Sequence, residues 1–124
     1  PRLALQLLGT EVGRGIFHEN FWVDRLERLI DREKNYVITD VRFQNEIDFV
    51  HKNSGVMIEV QRGITPHWYE IAGKANRGDW KAEDFMLKQS GVHESEWRWI
   101  GGYIDHQIDN TKFISSSLNN FLIF

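Results

Sequence analysis

The sequence contains no cysteine and only two prolines among its 124 residues. The absence of cysteine excludes disulfide bonds and thiolate zinc sites, and it is typical of proteins from a reducing compartment. No apolar run approaches the roughly 20 residues that cross a bilayer, and no basic and apolar leader opens the chain. These absences predict a soluble, cytoplasmic protein that does not bind a membrane.

Neither sign of charge is in large excess. The chain has 15 Lys and Arg residues against 18 Asp and Glu, which gives a formal net charge of −3. A mildly acidic chain has no general attraction for phosphodiester backbones, so we expect no binding of DNA or RNA through bulk charge. The length and the 41% hydrophobic content predict one globular domain over residues 1–124.

The first 35 residues show the spacing of two amphipathic helices. Leucines predict a first helix that stops at Gly9, and the glycines of residues 9–15 then predict a flexible polar turn. This glycine-rich run follows a helix and precedes no Lys-Ser/Thr pair, so it is not a phosphate-binding P-loop. Asn20 is placed to cap the second helix, whose apolar positions recur at helical spacing up to Ile30.

A strand–helix–strand pattern follows. Residues 36–39 and 56–60 are short apolar, β-branched runs, and a helix near 45–53 that ends before Gly55 joins them. We therefore predict that the two runs are adjacent parallel strands of an α/β sheet. Residues 104–108 predict a third strand, and ligands of such sheets bind beyond the carboxyl ends of the strands.

The segment 40–46 carries the densest set of functional side chains. Asp40 ends the first predicted strand, and Arg42 and Glu46 follow in the turn into the next helix. An arginine there can donate two hydrogen bonds to a phosphate or carboxylate, while the acidic side chains orient the arginine or accept hydrogen bonds from a ligand. Two interpretations are open: a ligand site in which Arg42 is unpaired until the ligand binds, or a helix start in which Asp40 caps and Arg42 pairs at the surface.

Residues 63–102 form a long connection between the predicted strands, typical of a lid or an interaction insert. Within it, residues 81–89 predict a helix, and a closing helix is predicted near Ser116 or Ser117. The segment holds four of the five tryptophans, and we favour a small internal core over an interaction surface for them: Trp68, Trp80, Trp97 and Trp99. The histidines form no metal motif, and residues 93–96 are as compatible with a helix cap as with a metal contact, so no metal site is predicted.

Six motifs in order, among them Trp-Val at 22–23, resemble the phage-type deoxynucleoside monophosphate kinases. The two most specific are Leu-Gly-Thr-Glu at 8–11 and Asp-Val-Arg-Phe-x-Asn-Glu at 40–46. Val-x-Arg-Gly at 60–63, His-x-Ser-Glu at 93–96 and Ile-Asp-Asn at 108–110 follow. The similarity covers roughly the C-terminal half to two-thirds of such an enzyme.

The resemblance implies a P-loop kinase-like three-layer fold with a parallel sheet, in which residues 63–102 are a lid-like insertion. It implies ATP-dependent, Mg²⁺-dependent phosphoryl transfer to a deoxynucleoside monophosphate, giving the diphosphate. It also implies catalytic roles for Arg42 and Arg62, and places His93 and Glu96 in the lid. By position, seven residues would line the monophosphate pocket: Arg2, Gly9, Thr10, Trp22, Asp40, Arg42 and Glu46.

One departure from that family concerns the P-loop, which lies upstream of every motif matched here. ATP and Mg²⁺ would then be bound mainly by residues that this chain lacks, so we expect little or no activity from the chain alone. Two other functions stay open: a P-loop-less nucleotide-binding relative that acts as an inhibitor or sensor, and a protein-interaction module that uses the tryptophan-rich insert. Members of the family often pair, so a homodimer is a further expectation.

Overall fold

The computed structural model describes residue 4 and residues 6–111 of the chain. Arg2 and the closing helix predicted near Ser116 lie outside the described residues. In this part of the chain, no helix is long and apolar enough to cross a membrane. The elements follow in this order: a π-helix (Leu7–Phe17), α1 (Phe21–Glu27), α2 (Gln44–Lys52), β1 (Ile58–Gln61), α3 (Tyr69–Asn76), α4 (Trp80–Lys88), a 3₁₀ turn (Glu94–Glu96) and β2 (His106–Asp109).

The two strands β1 and β2 are parallel neighbours. Ile58 lies opposite His106, and the register continues to Gln61 opposite Asp109. The Asp105 carboxylate fixes the start of this pairing, because it accepts a hydrogen bond of 2.7 Å from the Met57 N–H. The predicted strands at 56–60 and 104–108 are thus present, displaced by one or two residues, and the α/β class is confirmed at the level of mixed helices and a parallel sheet.

The prediction of a strand at residues 36–39 is wrong for the structure as described. Residues 35–42 have no regular secondary structure, and no described strand pairs with them. The helix predicted near 45–53 is nevertheless present as α2. A β-branched sequence favours a strand, but a strand is stable only in a ladder with a neighbour. Within residues 6–111, no such neighbour lies beside 36–39.

The glycines of residues 9–15 do not form the predicted flexible turn, because they lie within the π-helix. The Trp22 indole Nε1 donates a hydrogen bond of 2.7 Å to the Gly9 carbonyl. A Cβ atom at Gly13 would lie 2.6 Å from that same Nε1. Glycine at 13 therefore permits the close approach of an aromatic ring, and packing overrides the low helix propensity of glycine. Helix α1 is shorter than predicted and ends at Glu27 rather than near Ile30.

A hydrophobic core forms within residues 63–102, where α3 packs against α4. The Trp97 side chain is fully buried there. Asp79 caps α4 by accepting hydrogen bonds from the N–H groups of Lys81 and Ala82. Burial thus supports the interpretation of an internal core for Trp97, whereas Trp80 is 71% exposed. The buried members of the core are Ala72, Ala75, Ala82, Met86, Trp97 and Ile100.

Candidate functional site

Arg42 lies in the turn before α2, and two carboxylates hold its guanidinium group. Its Nε donates to Asp40, and its Nη1 donates to Glu96 Oε1 at 2.8 Å. The hydrogen bond to Asp40 is the largest cause that raises the pKa of Arg42 above its ordinary value, with Glu96 adding to it. The expectation that Arg42 is unpaired in the empty site is therefore wrong. The structure does bring together three of the predicted site residues, Asp40, Arg42 and Glu96.

Glu46 organises the start of α2. Its Oε2 accepts hydrogen bonds from the backbone N–H groups of Arg42 at 2.6 Å and Phe43 at 3.1 Å. Backbone donors at a helix start have no intrahelical partner, so this carboxylate satisfies two of them. Asp40 does not take that capping role; it contacts the Arg42 side chain instead. Glu46 thus fixes the backbone from which Arg42 projects.

Arg14 belongs to the same cluster and was not among the predicted site residues. Its guanidinium donates to Glu46, to Asn45 Oδ1 at 3.1 Å and to the Glu19 carbonyl at 2.9 Å. It also lies 3.8 Å from the centre of the Phe43 ring. The side chain is only 8% exposed. Arg14 therefore joins the π-helix to the start of α2, and its lone positive charge in a glycine-rich run was the only sequence signal for it.

Trp22 contacts the π-helix rather than Arg42. Its Nε1 is bound to the Gly9 carbonyl, and 40% of the residue is exposed. Thr10, on the same π-helix, is buried. Among the described residues, the structure gives no hydrogen bond or ring contact between Trp22 and Arg42. The predicted residues Gly9, Thr10 and Trp22 thus form a second group beside the Arg42 cluster, and Arg14 connects the two.

A cleft of about 500 Å³ opens beside Glu96. This volume lies in the range of roughly 300–1,000 Å³ that is usual for small-molecule sites. Gln6 Nε2 donates to Glu96 Oε1 at 3.1 Å, so the oxygen that holds Arg42 also faces the cleft lining. The cleft is lined by Gln6, Leu87, Lys88, Gly91, Val92, His93 and Glu96.

His93 caps a 3₁₀ turn, as one of the two interpretations of residues 93–96 expected, and Arg62 lies apart from Arg42. The His93 Nδ1 accepts a hydrogen bond from the Ser95 N–H at 3.3 Å and lies 2.9 Å from Ser95 Oγ, so the histidine caps the 3₁₀ turn. Its Nε2 is buried and has no hydrogen-bond partner within the described chain. Arg62 is exposed, and no hydrogen bond or ion pair joins it to another residue of the range 6–111. The structure therefore does not bring Arg62 to Arg42.

Comparison with curated proteins identifies a similar enzyme. The chain is 45% identical, over 123 residues, to the deoxynucleoside-5′-monophosphate kinase of Escherichia phage T5, a match that covers 97% of this chain. The resemblance to these kinases is confirmed. The chain spans 42% of the length of that enzyme, less than the half to two-thirds predicted from the motifs. No protein-family model and no solved structure matches the chain, so the P-loop kinase fold stays a prediction.

Proposed function

We propose that this chain supplies the acceptor-binding part of a deoxynucleoside monophosphate kinase, which transfers phosphate from ATP to a deoxynucleoside monophosphate in the host cytoplasm. One observation carries the proposal. A chain 45% identical to the phage T5 kinase places Arg42 between Asp40 and Glu96, next to a cleft of small-molecule size. A homodimer of the complete enzyme is part of the same proposal.

Arg42 is the group that we assign to the acceptor phosphate. A planar guanidinium donates two parallel hydrogen bonds to a phosphate, which a lysine cannot do. In the structure, two of its N–H donors are bound to carboxylates, Nε to Asp40 and Nη1 to Glu96. A phosphate that binds through Nη1 would take the place of Glu96.

Three further assignments complete the acceptor pocket. Trp22 presents a partly exposed ring on which a base can stack. Gly9, Thr10 and Arg2 are assigned to the same pocket from the resemblance. Arg62 and His93 belong to the lid, which excludes water from the reacting phosphates when it closes. In this assignment Asp40 and Glu46 orient Arg42 through its side chain and its backbone, respectively.

The described residues do not fit the phosphates of ATP or its Mg²⁺ ion. Residues 9–15 lie in a π-helix and offer no loop of converging N–H groups. Within residues 6–111, no three His, Asp or Glu side chains form a group that could hold a metal ion. We therefore assign ATP and Mg²⁺ to the part of the enzyme that this chain does not span. The chain alone is expected to show no turnover in a coupled assay of ADP release with ATP, Mg²⁺ and each monophosphate.

A chimeric enzyme tests the proposal. In the phage T5 kinase, the matched segment is replaced by this chain, and we expect the product to phosphorylate deoxynucleoside monophosphates. Arg42→Ala should lower kcat/KM for the monophosphate by a factor that corresponds to a loss of about 2–4 kcal/mol of transition-state stabilisation. Arg42→Lys should also lose activity, because lysine cannot donate two parallel hydrogen bonds to the phosphate. Arg25→Ala is the matched control, since Arg25 is exposed on α1 and should leave kcat/KM unchanged.

The outcome of that test also separates the other two functions. A chimera that binds a monophosphate but never turns it over would favour an inhibitor or sensor. A chimera that binds ATP but no monophosphate would favour an interaction module. An Arg42→Ala variant with unchanged kcat/KM would contradict the assignment of Arg42 to the acceptor phosphate.

A further inference from the structure

Arg14 lies between the two groups of residues that are assigned to the acceptor pocket. The first group lies on or against the π-helix and consists of Gly9, Thr10 and Trp22. The second is centred on Arg42, in the turn before α2. Arg14 belongs to the π-helix, and its guanidinium donates its hydrogen bonds to residues outside that helix. Its side chain therefore connects the two groups.

The connection from Arg14 to Arg42 runs through one carboxylate. Arg14 Nη2 donates to Glu46 Oε1. The other oxygen of Glu46 accepts hydrogen bonds from the backbone N–H groups of Arg42 at 2.6 Å and Phe43 at 3.1 Å. Without Arg14, the carboxylate would lose the charge-assisted hydrogen bond that sets its orientation. The backbone of Arg42 would then lose a fixed acceptor.

Further contacts fix the guanidinium of Arg14 itself. Its Nη1 donates to Asn45 Oδ1 at 3.1 Å and to the Glu19 carbonyl at 2.9 Å. The guanidinium carbon lies 3.8 Å from the centre of the Phe43 ring. Contacts on its plane and at both terminal nitrogens thus define one orientation. A lysine ammonium at this position could still pair with Glu46, but it has no planar group to reproduce the other contacts.

The ion pair of Arg14 and Glu46 is largely buried, since the two side chains are 8% and 18% exposed. The cost of removing two charges from water largely offsets their attraction, so such a pair contributes little net stability. Neither residue belongs to the hydrophobic core between α3 and α4. The pair does restrict geometry, because few arrangements satisfy all the hydrogen bonds of buried charged groups.

We propose that Arg14 is a positioning residue for phosphoryl transfer: through Glu46, it fixes the turn from which Arg42 reaches the acceptor phosphate. The inference rests on the proposed function, because it takes Arg42 to bind that phosphate. Arg14 does not bind the phosphate itself, since both of its terminal nitrogens are bound to Glu46, Asn45 and Glu19. A misplacement of about 1 Å at a reacting group can lower a rate by roughly 100-fold.

The structural step is tested in this chain alone, by residue-resolved amide hydrogen exchange. In the Arg14→Gln variant, the N–H groups of Arg42 and Phe43 should exchange at least about fivefold faster, because their acceptor is no longer held in place. The amides of α4 should keep their rates. Unchanged exchange at Arg42 and Phe43 would overturn the inference. Equal acceleration in α4 would also overturn it, since it would show a general loss of stability.

The kinetic step is tested by a double-mutant cycle in the phage T5 chimera. Arg14→Gln should lower kcat/KM for the monophosphate by about 10- to 100-fold and leave KM for ATP unchanged. In the Arg42→Ala background, the same substitution should lower kcat/KM by less than about twofold, because no guanidinium is left to position. Equal factors in both backgrounds would overturn the inference, since they would indicate a purely structural role or a direct contact of Arg14 with the substrate.

Arg98→Gln is the matched control. Arg98 also pairs with two carboxylates, those of Glu83 and Glu94, and lies 4.3 Å from the centre of the Trp97 ring. Its loss should leave amide exchange at the start of α2 unchanged, and should change kcat/KM by the same factor with and without Arg42. Coupling of Arg98 to Arg42 as strong as that of Arg14 would overturn the inference, because any partly buried arginine would then suffice.

Arg14→Lys covers the case in which Arg14→Gln does not fold. It keeps a positive charge beside Glu46, so we expect smaller changes of the same kind: faster exchange at Arg42, and a loss of kcat/KM that disappears in the Arg42→Ala background. An inactive chimera with faster exchange at Arg42 and Phe43 in the chain alone would support the positioning contact and contradict the proposed function. An active chimera without coupling would overturn only the inference, so the two failures are distinguishable.

Discussion

The two parts of the described chain differ in whether they complete their own core. Residues 63–102 bury Trp97 fully and Ile100 almost fully within contacts local to that segment. Around β1, by contrast, Val60 and Val37 stay 60% and 89% exposed, and no described strand pairs with the edge of β1 opposite β2. Two helices that are close in sequence can bury a core between them. A parallel strand, in contrast, pairs with strands that lie far away in the chain.

Removing the tryptophan at the centre of the local core should have the largest effect on stability and tests the difference between the two parts directly. Trp97→Ala should lower the free energy of unfolding by about 3–5 kcal/mol, because it deletes a fully buried aromatic side chain. Trp80→Ala is the control, since Trp80 is 71% exposed and should change stability by less than about 0.5 kcal/mol. Both are measured by urea unfolding followed by circular dichroism. Equal effects of the two substitutions would disprove the local core.

The packing of Trp22 on the π-helix gives the next largest effect. Gly13→Ala should destabilise the chain by about 1–3 kcal/mol, since the added Cβ would lie 2.6 Å from the Trp22 indole nitrogen. Gly9→Ala meets no atom within 4 Å and should be neutral or stabilising by up to about 1 kcal/mol. The same unfolding measurement distinguishes them. If Gly13→Ala were as well tolerated as Gly9→Ala, the close contact with Trp22 would be refuted.

The start of the β1–β2 pairing should be sensitive to acid. The Met57 N–H and the His51 ring, which lies 3.0 Å away, lower the pKa of Asp105 below its ordinary value. The folded state therefore gains stability from the ionised carboxylate above the unfolded-state pKa, and this gain is lost as the pH falls through the lowered folded-state pKa.

Asp105→Asn should accordingly lower Tm at neutral pH and flatten the decrease of Tm on acidification. Thermal melts between pH 7 and pH 2.5 measure both effects. Asp48→Asn serves as the control, because the Asp48 carboxylate accepts a hydrogen bond from the Gln44 side chain at the surface and lies outside the strand pairing. Parallel pH profiles of the native chain and the Asp105→Asn variant would contradict the role given to this carboxylate.

The smallest effect on stability is expected at Arg42. Its side chain is 38% exposed, so solvent weakens its ion pairs and Arg42→Ala should cost the chain no more than about 1 kcal/mol. In the chimera, the same substitution should cost more free energy in transition-state stabilisation, calculated from kcat/KM, than it costs in stability. A larger loss of stability than of kcat/KM would show that Arg42 holds the fold rather than the acceptor phosphate.

The sequence predicted α2, α4 and both strands of the sheet, because hydrophobic period and turn residues are local signals. It did not predict α3, and it placed a strand at 36–39 where the described chain offers no ladder partner. The cluster of Asp40, Arg42 and Glu46 was predictable from its position after a strand-like run. The contact of Arg42 with Glu96 and the contribution of Arg14 were not, since both join residues far apart in sequence.

The long crossover between the two strands has a consequence for the order of folding. Gln61 and His106 are 45 positions apart, yet β1 and β2 must meet in register. The entropy lost on closing a disordered connection grows with its length, so prior collapse of α3 and α4 around Trp97 shortens the loop that remains to be closed. We therefore expect the helical segment to fold early and the strands to pair late. Substitutions at Trp97 should then slow refolding, whereas Asp105→Asn should mainly accelerate unfolding.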